Sequence, residues 1–279
     1  MSGVLYLVAT PIGNLEDMSP RAVRILQEAD VIAAEDTRNS IKLLNHFDIH
    51  VPMTSYHEYN KYDKGKHLVD RMLQGETVAL ITDAGTPGIS DPGEVVAQMA
   101  AEAGIRVCSI PGPAAMINAL IISGMPTRNF VFEAFLSRET KERKKALARL
   151  KDETRTMILY EAPHHLEKTL EDLAQVLGEN RRIALCKELT KRHENVFRTT
   201  IREALDYYKE EKPRGEYVLV IHGKTEEELQ QESAEKWENY TIAEHVQYYM
   251  DRGEDKKSAM KLAAKDRGLS KRDIYQALL

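Results

Sequence analysis

Short apolar runs alternate with helical patterns along the first half of the chain. The apolar runs have the length and composition of buried β-strands, and amphipathic stretches with a helical repeat separate them. We predict strands at residues 4–9, 31–34, 77–82 and 106–110, and helices at 21–29, 63–73 and 94–103. This alternation is typical of an α/β domain with a largely parallel sheet.

A second group of the same kind follows. Strands are predicted at residues 130–135, 155–160, 182–187 and 217–221, with helices between them at 163–177 and 200–208. A chain of 279 residues exceeds the usual size of one domain, about 100 to 150 residues. We therefore expect two α/β lobes, residues 1–126 and 127–223, joined near Thr127.

The character of the chain changes in residues 224–279. Glutamates dominate the start of this segment, which is expected to form a polar helix or a linker. Two capping boxes, Thr241 with Glu244 and Ser270 with Asp273, then predict a small helical appendage that resembles a helix-turn-helix. Its lysines and arginines suit either RNA contact or a solvated miniature bundle. They are Lys256, Lys257, Lys261, Lys265, Arg267, Lys271 and Arg272.

Composition and charge narrow the function classes. No apolar run approaches the roughly 20 residues needed to cross a bilayer, and the N-terminus lacks a secretory signal, so we expect a cytoplasmic protein. The net charge of −5 argues that any nucleic-acid contact uses local basic patches. The two cysteines, Cys108 and Cys186, lie in strand-like runs, and no His, Cys or Asp cluster has metal-ligand spacing, so no metal is expected.

Three loops at predicted strand ends have the composition of a binding site. They are residues 9–14, the glycine- and proline-rich loop 83–93, and the loop 110–115 that leads into a helix. Glycine lets a ligand approach the backbone closely, and ligands of open α/β sheets bind at the carboxyl ends of strands. The alternative is that these loops are only elaborate turns. Because phosphate-binding glycine motifs are absent, a triphosphate ligand is not expected.

Eight motifs in order resemble those of the ribosomal RNA ribose methyltransferases in the tetrapyrrole-methylase superfamily. The motifs are ATPIGN (9–14), AEDTR (34–38), SYHEYN (55–60), DAGTPGISDPG (83–93), PGPAA (111–115), LYEAPH (159–164), ELTKRHE (188–194) and RGEYVLVI (214–221). They span nearly the whole body of the chain. AEDTR and ISDPG separate this branch from the porphyrin-precursor methylases of similar fold.

The resemblance implies a two-lobed α/β homodimer that binds S-adenosylmethionine in the cleft between lobes. The substrate would be a cytidine 2′-hydroxyl in the decoding centre of small-subunit (16S) rRNA, as free RNA or in the assembled 30S subunit. Where the family has Pro-His-Arg, this chain has His165, which weakens any role for a cation there. Matching positions place these residues at the cofactor: Pro11, Asp83, Ala84, Gly85, Ile89, Ser90, Gly112, Pro113, Ala114, Ala115, Tyr160, Glu161, Ala162, Leu189, Thr190, Gly215 and Glu216.

Transfer to a ribose hydroxyl gains from a positioned proton acceptor, typically about 10²-fold or more. The candidates are Glu35, Asp36 and Glu161, which follow predicted strands. An alternative for Glu35 and Asp36 is that they cap the next helix or pair with Arg38.

For RNA contact, the candidates are Arg38, Tyr56 and His57, and Arg143, Lys144 and Lys145 of a basic amphipathic stretch at residues 138–155. Tyrosines of the 55–62 loop suit stacking on bases of a splayed strand, or they anchor the loop. The basic stretch suits phosphate contact, or it is a solvated helix face.

Two other functions are compatible with the sequence. A methyltransferase of the same fold acting on a tetrapyrrole precursor would not need the basic patches. A non-catalytic RNA-binding factor would not need the loops 83–93 and 111–115, whose intact motifs argue against it.

Overall fold

Two five-stranded sheets with flanking helices form the chain up to Ile221 in the computed structural model, which describes residues 2–278. The first lobe contains β1 (Val4–Val8), α1 (Pro20–Glu28), β2 (Val31–Ala34), α2 (Thr37–His46), β3 (Met53–Ser55), α3 (Lys61–Leu73), β4 (Val78–Ile81), α4 (Gly93–Glu102) and β5 (Arg106–Ile110). Its strand order is β3-β2-β4-β1-β5, and every pairing is parallel. All residues of β2 and β4 are buried, because helices cover both faces.

A helix at Ala115–Ser123, α5, leads into the second lobe. That lobe contains β6 (Phe130–Phe135), α6 (Thr140–Leu150), β7 (Thr156–Glu161), α7 (Leu166–Leu177), β8 (Arg182–Lys187), β9 (Asn195–Thr200), α8 (Ile201–Glu210) and β10 (Tyr217–Ile221). The strand order is β6-β7-β10-β8-β9, and only β6 and β7 are parallel. Helix α5 packs on one face of this sheet, while α7 and α8 pack on the other.

Four helices complete the described chain: α9 (Glu226–Lys236), α10 (Ile242–Met250), α11 (Lys256–Asp266) and α12 (Lys271–Ala277). The acidic segment is therefore a helix, and the ion pairs of Arg181 and Lys224 attach it to the second lobe. Arg181 of that lobe contacts Glu228 at 2.8 Å, and the nearly buried Lys224 contacts Glu232 at 2.7 Å and Asp152 at 2.8 Å.

The helices α10 to α12 enclose a small core around Val246, Ala263 and Ile274. Both predicted capping boxes are present, at Thr241 and Ser270. Arg267 was expected to belong to the basic surface of the appendage, but it does not. Its guanidinium donates to His245 Nδ1 at 3.0 Å and to the carbonyl oxygen of Trp237 at 2.9 Å, so it holds the appendage together.

The predicted α/β fold is confirmed, and its predicted strands and helices are present with shifts of a few residues at their ends. The strands β3 and β9 were not predicted. β3 has three residues, and β9 places Val196 next to Phe197, so neither shows the alternation expected of a half-buried strand. No helix within residues 2–278 is long and apolar enough to span a membrane. Burial raises the pKa of the Cys186 thiol to about 12, in keeping with a packing role.

Candidate functional site

A cleft of about 410 Å³ lies between the two lobes. The loops after β1, β4 and β5 form its first wall, and the ends of β7, β8 and β10 form its second. Five of the expected cofactor residues do not line the cleft, namely Pro11, Gly112, Pro113, Thr190 and Gly215. The others do: Asp83, Ala84, Gly85, Ile89, Ser90, Ala114, Ala115, Tyr160, Glu161, Ala162, Leu189 and Glu216.

The loop 83–93 is organised by one carboxylate, that of Asp91. It accepts hydrogen bonds from the backbone N–H groups of Gly88 at 2.8 Å, Ile89 at 3.0 Å and Gly93 at 2.7 Å. Hydrogen bonds to a charged acceptor are stronger than neutral ones, so Asp91 fixes the loop in one turn. Ser90 adopts a left-handed backbone with φ of 62°, which this arrangement maintains.

Gly85 joins this loop to the loop after β1. Its N–H and carbonyl oxygen bond to the backbone of Thr10 at 3.1 and 2.9 Å. Its φ of +85° favours glycine, and a Cβ would lie 3.3 Å from Cγ2 of Ile12 in the cleft wall. The third loop is attached by Thr86, whose hydroxyl donates to the carbonyl oxygen of Pro113 at 2.9 Å. The three loops thus form one connected wall.

Aromatic and strained residues form much of the second wall. The hydroxyl of Tyr160 accepts a hydrogen bond from the backbone N–H of Met116 at 3.2 Å, which links the two walls. Phe135 lies 5.5 Å from Tyr160 between ring centroids and is 60% exposed. A β-bulge next to Phe135, with Ala134 at φ of 52°, directs this aromatic ring to the cleft.

The cleft carries an excess of negative charge. Lys191 is the single cation among its lining residues, and it is paired with Glu216 at 2.7 Å and with Glu188 at 3.0 Å. Such a lining suits a cationic ligand and disfavours a polyphosphate. The lining carboxylates are Glu35, Asp83, Asp91, Glu161 and Glu216.

The three candidate proton acceptors differ in environment. Glu35 lines the cleft, and burial, followed by the charges of Asp83 and Asp91, raises the pKa of its carboxyl. Asp36 does not line the cleft. Its carboxylate caps α2 and pairs with Arg38 at 2.8 Å, and those hydrogen bonds lower its pKa to about 2. The alternative of capping and pairing therefore applies to Asp36.

Glu161 lines the cleft but is already hydrogen-bonded on both oxygens. It accepts from the hydroxyl of Thr169 at 2.5 Å and from the backbone N–H of Ala162 at 2.8 Å, and its side chain is nearly buried. These bonds fix its orientation, and both of its oxygens are occupied.

Two RNA-contact candidates have other roles in the structure. Tyr56 is only 1% exposed, and its hydroxyl donates to the carbonyl oxygen of Pro92 at 2.8 Å, so its ring cannot stack on a base. The guanidinium of Arg143 donates to Asp172 at 2.7 Å and to the hydroxyl of Thr169 at 2.8 Å, so it is directed into the lobe. Burial in the first case and pairing in the second correct these two expectations.

Among the other RNA-contact candidates, Arg38, Lys144 and Lys145 are exposed, whereas His57 is half-buried. Tyr59 is 96% exposed beside His57, whose Nδ1 is buried without a hydrogen-bond partner among residues 2–278. Arg38 projects from the surface while paired with Asp36, and Lys144 and Lys145 are exposed on α6.

A second groove, about 940 Å³, runs between α6 and α7 and meets the cleft. Phe135, Glu161 and Ala162 line both cavities. Basic residues outnumber acidic ones in the groove lining, which includes the family-variant position His165, and two of the basic residues, Arg143 and Lys168, pair with Asp172 of the same lining. Besides His165, the basic lining residues are Arg138, Arg143, Lys144, Lys151 and Lys168.

The sequence prediction missed several lining residues. Four of them lie inside the eight motifs but were not expected to contact the cofactor, namely Ile12, Thr86, Asp91 and Lys191. Phe135 lies outside all eight motifs, and the signal for it was an aromatic residue at the end of a predicted strand. Within residues 2–278, no group of three His, Cys, Asp or Glu side chains is placed to hold a metal ion.

Comparison with known proteins agrees with this architecture. The family model described as tetrapyrrole (corrin/porphyrin) methylases matches residues 4–205. The ribosomal RNA small subunit methyltransferase I of Halalkalibacterium halodurans is 49% identical over 98% of this chain and 93% of its own length. The protein of the same name from Synechocystis is 46% identical, with 99% of this chain and 98% of its own length covered.

Solved structures share the fold at lower identity. Uroporphyrin-III-C-methyltransferase from Thermus thermophilus superposes with a TM-score of 0.56 and 21% identity, covering 79% of this chain and 94% of that one. A diphthine synthase superposes with a TM-score of 0.62 and 15% identity, covering 80% of this chain and 91% of that one.

Proposed function

Because the chain belongs to the tetrapyrrole (corrin/porphyrin) methylase family, we propose that it transfers the methyl group of S-adenosylmethionine to a ribose 2′-hydroxyl in small-subunit (16S) rRNA. The acceptor in this proposal is a cytidine of the decoding centre, in the free RNA or the assembled 30S subunit. The observation that carries the proposal is the continuity between an acidic cleft, suited to a cationic cofactor, and a basic groove, suited to a polyanion.

The cleft residues fit S-adenosylmethionine. The volume of the cleft lies within the range of roughly 300 to 1,000 Å³ found for small-molecule sites. The lining carboxylates complement the sulfonium and ammonium charges of the cofactor. When bound, the cofactor supplies an electrophilic methyl group.

In this mechanism, Glu35 takes the proton from the attacking 2′-hydroxyl at its carboxylate oxygen. Its raised pKa makes the carboxylate a stronger proton acceptor than an ordinary surface glutamate. Much of the remaining rate comes from holding the hydroxyl and the methyl group in near-attack geometry. The rigid loop around Asp91 and the hydrogen-bonded Glu161 provide that positioning.

The groove between α6 and α7 holds the RNA on either side of the acceptor. Its lysines, including Lys144 and Lys151, neutralise phosphates, while the protein as a whole carries a net charge of −5. Exposed Phe135 lies where groove and cleft meet, and it offers an aromatic face to the base of the acceptor nucleotide.

We also propose that two copies of the chain assemble. Ile117 and Ile121 lie one turn apart on α5, and both are exposed, Ile121 to 64%. Exposed isoleucines at this spacing form an apolar stripe that a second copy would cover. Sedimentation of Ile121→Lys, compared with the wild-type protein, tests this contact by showing whether the mass falls to that of one chain.

The substrate class is tested by transfer of labelled methyl groups from S-adenosylmethionine to small ribosomal subunits that lack ribose methylation. A tetrapyrrole precursor is offered in parallel. We expect label in the RNA and none in the tetrapyrrole. The reverse result would assign a small-molecule methylase, and binding of RNA without any transfer would assign an RNA-binding factor.

A further inference from the structure

A third cavity, about 500 Å³, lies beside the cofactor cleft in the second lobe, and no role above involves it. It is bounded by the end of β8, the start of β9 and helix α8. Tyr217, the first residue of β10, lines both this cavity and the cofactor cleft, so the two cavities adjoin at this strand end. We call it the Lys187 pocket.

The Lys187 pocket is basic, in contrast to the acidic cleft beside it. Three of its lining residues are cations, namely Lys187, Lys212 and Arg214, and one is a carboxylate, Glu211. Within residues 2–278, none of the three cations forms an ion pair, whereas Lys191 of the cleft is paired twice. Unpaired cations that converge on a cavity favour an anionic ligand.

Aromatic side chains form the other part of the lining. Tyr207 is 47% exposed, and its ring centroid lies 5.1 Å from that of Phe197. Tyr208 and Tyr217 are buried beneath them and form a rigid floor. An exposed ring on a fixed support is the arrangement on which nucleic-acid bases stack, and such stacking tolerates any base.

We propose that the Lys187 pocket binds a second nucleotide of the substrate RNA, its phosphate held by Lys187, Lys212 and Arg214 and its base stacked on Tyr207. This inference rests on the proposed function. Because the pocket and the α6–α7 groove both adjoin the cofactor cleft, the RNA is held at two places around the acceptor ribose. The pocket therefore contributes to substrate binding and not to the methyl-transfer step.

The test compares two variants with a matched control. Lys212→Glu removes a phosphate contact, and Tyr207→Ala removes the stacking face. Lys209→Glu makes the same charge change on α8, at an exposed residue that does not line the pocket. For each protein we would measure kcat and KM for small subunits, the dependence of RNA affinity on salt, and the Kd for S-adenosylmethionine.

We expect KM for small subunits to rise about tenfold in Lys212→Glu and at least about fivefold in Tyr207→Ala, the latter being the lower end of base–aromatic stacking. The slope of log affinity against log salt should fall by about 0.7 in Lys212→Glu, as for one lost phosphate of a single strand. The kcat, the Kd for S-adenosylmethionine and all values for Lys209→Glu should stay at the wild-type level.

Three results would overturn the proposal. They are an unchanged KM in both pocket variants without nucleotide binding, an equal rise in Lys209→Glu, or an unchanged KM in both pocket variants together with binding of free cytidine monophosphate that depends on Tyr207. The last result would assign a site for a free nucleotide. If the wild-type protein transfers no methyl group to subunits, the proposed function fails, and filter binding of 16S rRNA to the same variants still tests the pocket.

Discussion

Replacing Gly85 by valine tests whether the loop 83–93 forms the cofactor site. Gly85 has φ of +85°, and a Cβ built there lies 3.3 Å from Cγ2 of Ile12 and 3.6 Å from the carbonyl oxygen of Pro113. A Cβ alone is therefore tight, and the two methyl groups of valine have to enter the cleft or displace the loop. Either change removes space that S-adenosylmethionine occupies in the proposed site.

The substitution is expected to lower both the free energy of unfolding and the affinity for the cofactor. A side chain at positive φ costs about 1 to 3 kcal/mol of folding free energy, which is a fraction of the roughly 5 to 15 kcal/mol of a typical domain, so Gly85→Val still folds. Overpacking the cleft costs the complex a further 1 to 3 kcal/mol or so. Since about 1.4 kcal/mol corresponds to a factor of ten, cofactor affinity should fall about tenfold to a hundredfold.

The assay is calorimetric titration with S-adenosylmethionine, alongside thermal unfolding. Gly104→Val is the matched control, because Gly104 also has positive φ, +69°, lies in the same lobe and has no atom within 4 Å of an added Cβ. The control should lose similar stability and keep its cofactor affinity. Wild-type affinity in Gly85→Val would refute the placement of the cofactor against this loop.

Three further predictions concern single side chains. Glu35→Gln should lower kcat about 10²-fold with little change in cofactor Kd. The wild-type rate, measured by labelled-methyl transfer, should rise with pH through the raised pKa of Glu35, and the variant rate should not. Equal pH profiles would exclude Glu35 as the proton acceptor. Asp91→Ala should weaken cofactor binding at least about tenfold and expose the 83–93 loop to protease, because three backbone N–H groups lose their acceptor. A loop that stays intact in limited proteolysis would contradict this prediction. Burial lowers the pKa of His245, so the appendage should keep its full stability above the unfolded pKa of about 6.5 and lose it as pH falls further. Trp237, the single tryptophan, stacks on His245 with ring centroids 3.5 Å apart, and its fluorescence should report unfolding below that pH. A pH-independent signal would show that this histidine does not control the stability.

The fold was accessible from the sequence because the first lobe follows simple rules. Its inner strands are short runs buried on both faces, and helices of strong amphipathic pattern separate them. The mixed pairing in the second lobe was not accessible. Strand β10 runs antiparallel to both neighbours, and this depends on the path of the chain after α8, which leaves no mark on local periodicity.

The candidate site was predictable at its loops and less so at its side chains. Glycines and prolines of residues 83–93 signal a tight turn, but the acceptor that fixes the turn, Asp91, could be identified only from coordinates. Tyr56 and Arg143 show the opposite failure. Aromatic and basic residues near a site suggest ligand contact, whereas burial of Tyr56 and pairing of Arg143 with Asp172 use both side chains for packing.

The acidic connector and the basic appendage show why charge alone is ambiguous. The glutamates at the start of residues 224–279 were expected to form a polar helix or a linker, and the helix α9 that they form is held to the second lobe by the pairs Arg181–Glu228 and Lys224–Asp152. Pairing partners that lie 47 and 72 residues apart along the chain are set by tertiary structure, so composition could not distinguish a linker from a docked helix.

The proposed function is tested most directly by identifying the atom that receives the methyl group. Small subunits lacking ribose methylation would be treated with the protein and labelled S-adenosylmethionine, and the rRNA would be digested to nucleosides and analysed by mass spectrometry. We predict labelled 2′-O-methylcytidine from a single decoding-centre position. A label on a base, or on a nucleoside other than cytidine, would contradict it.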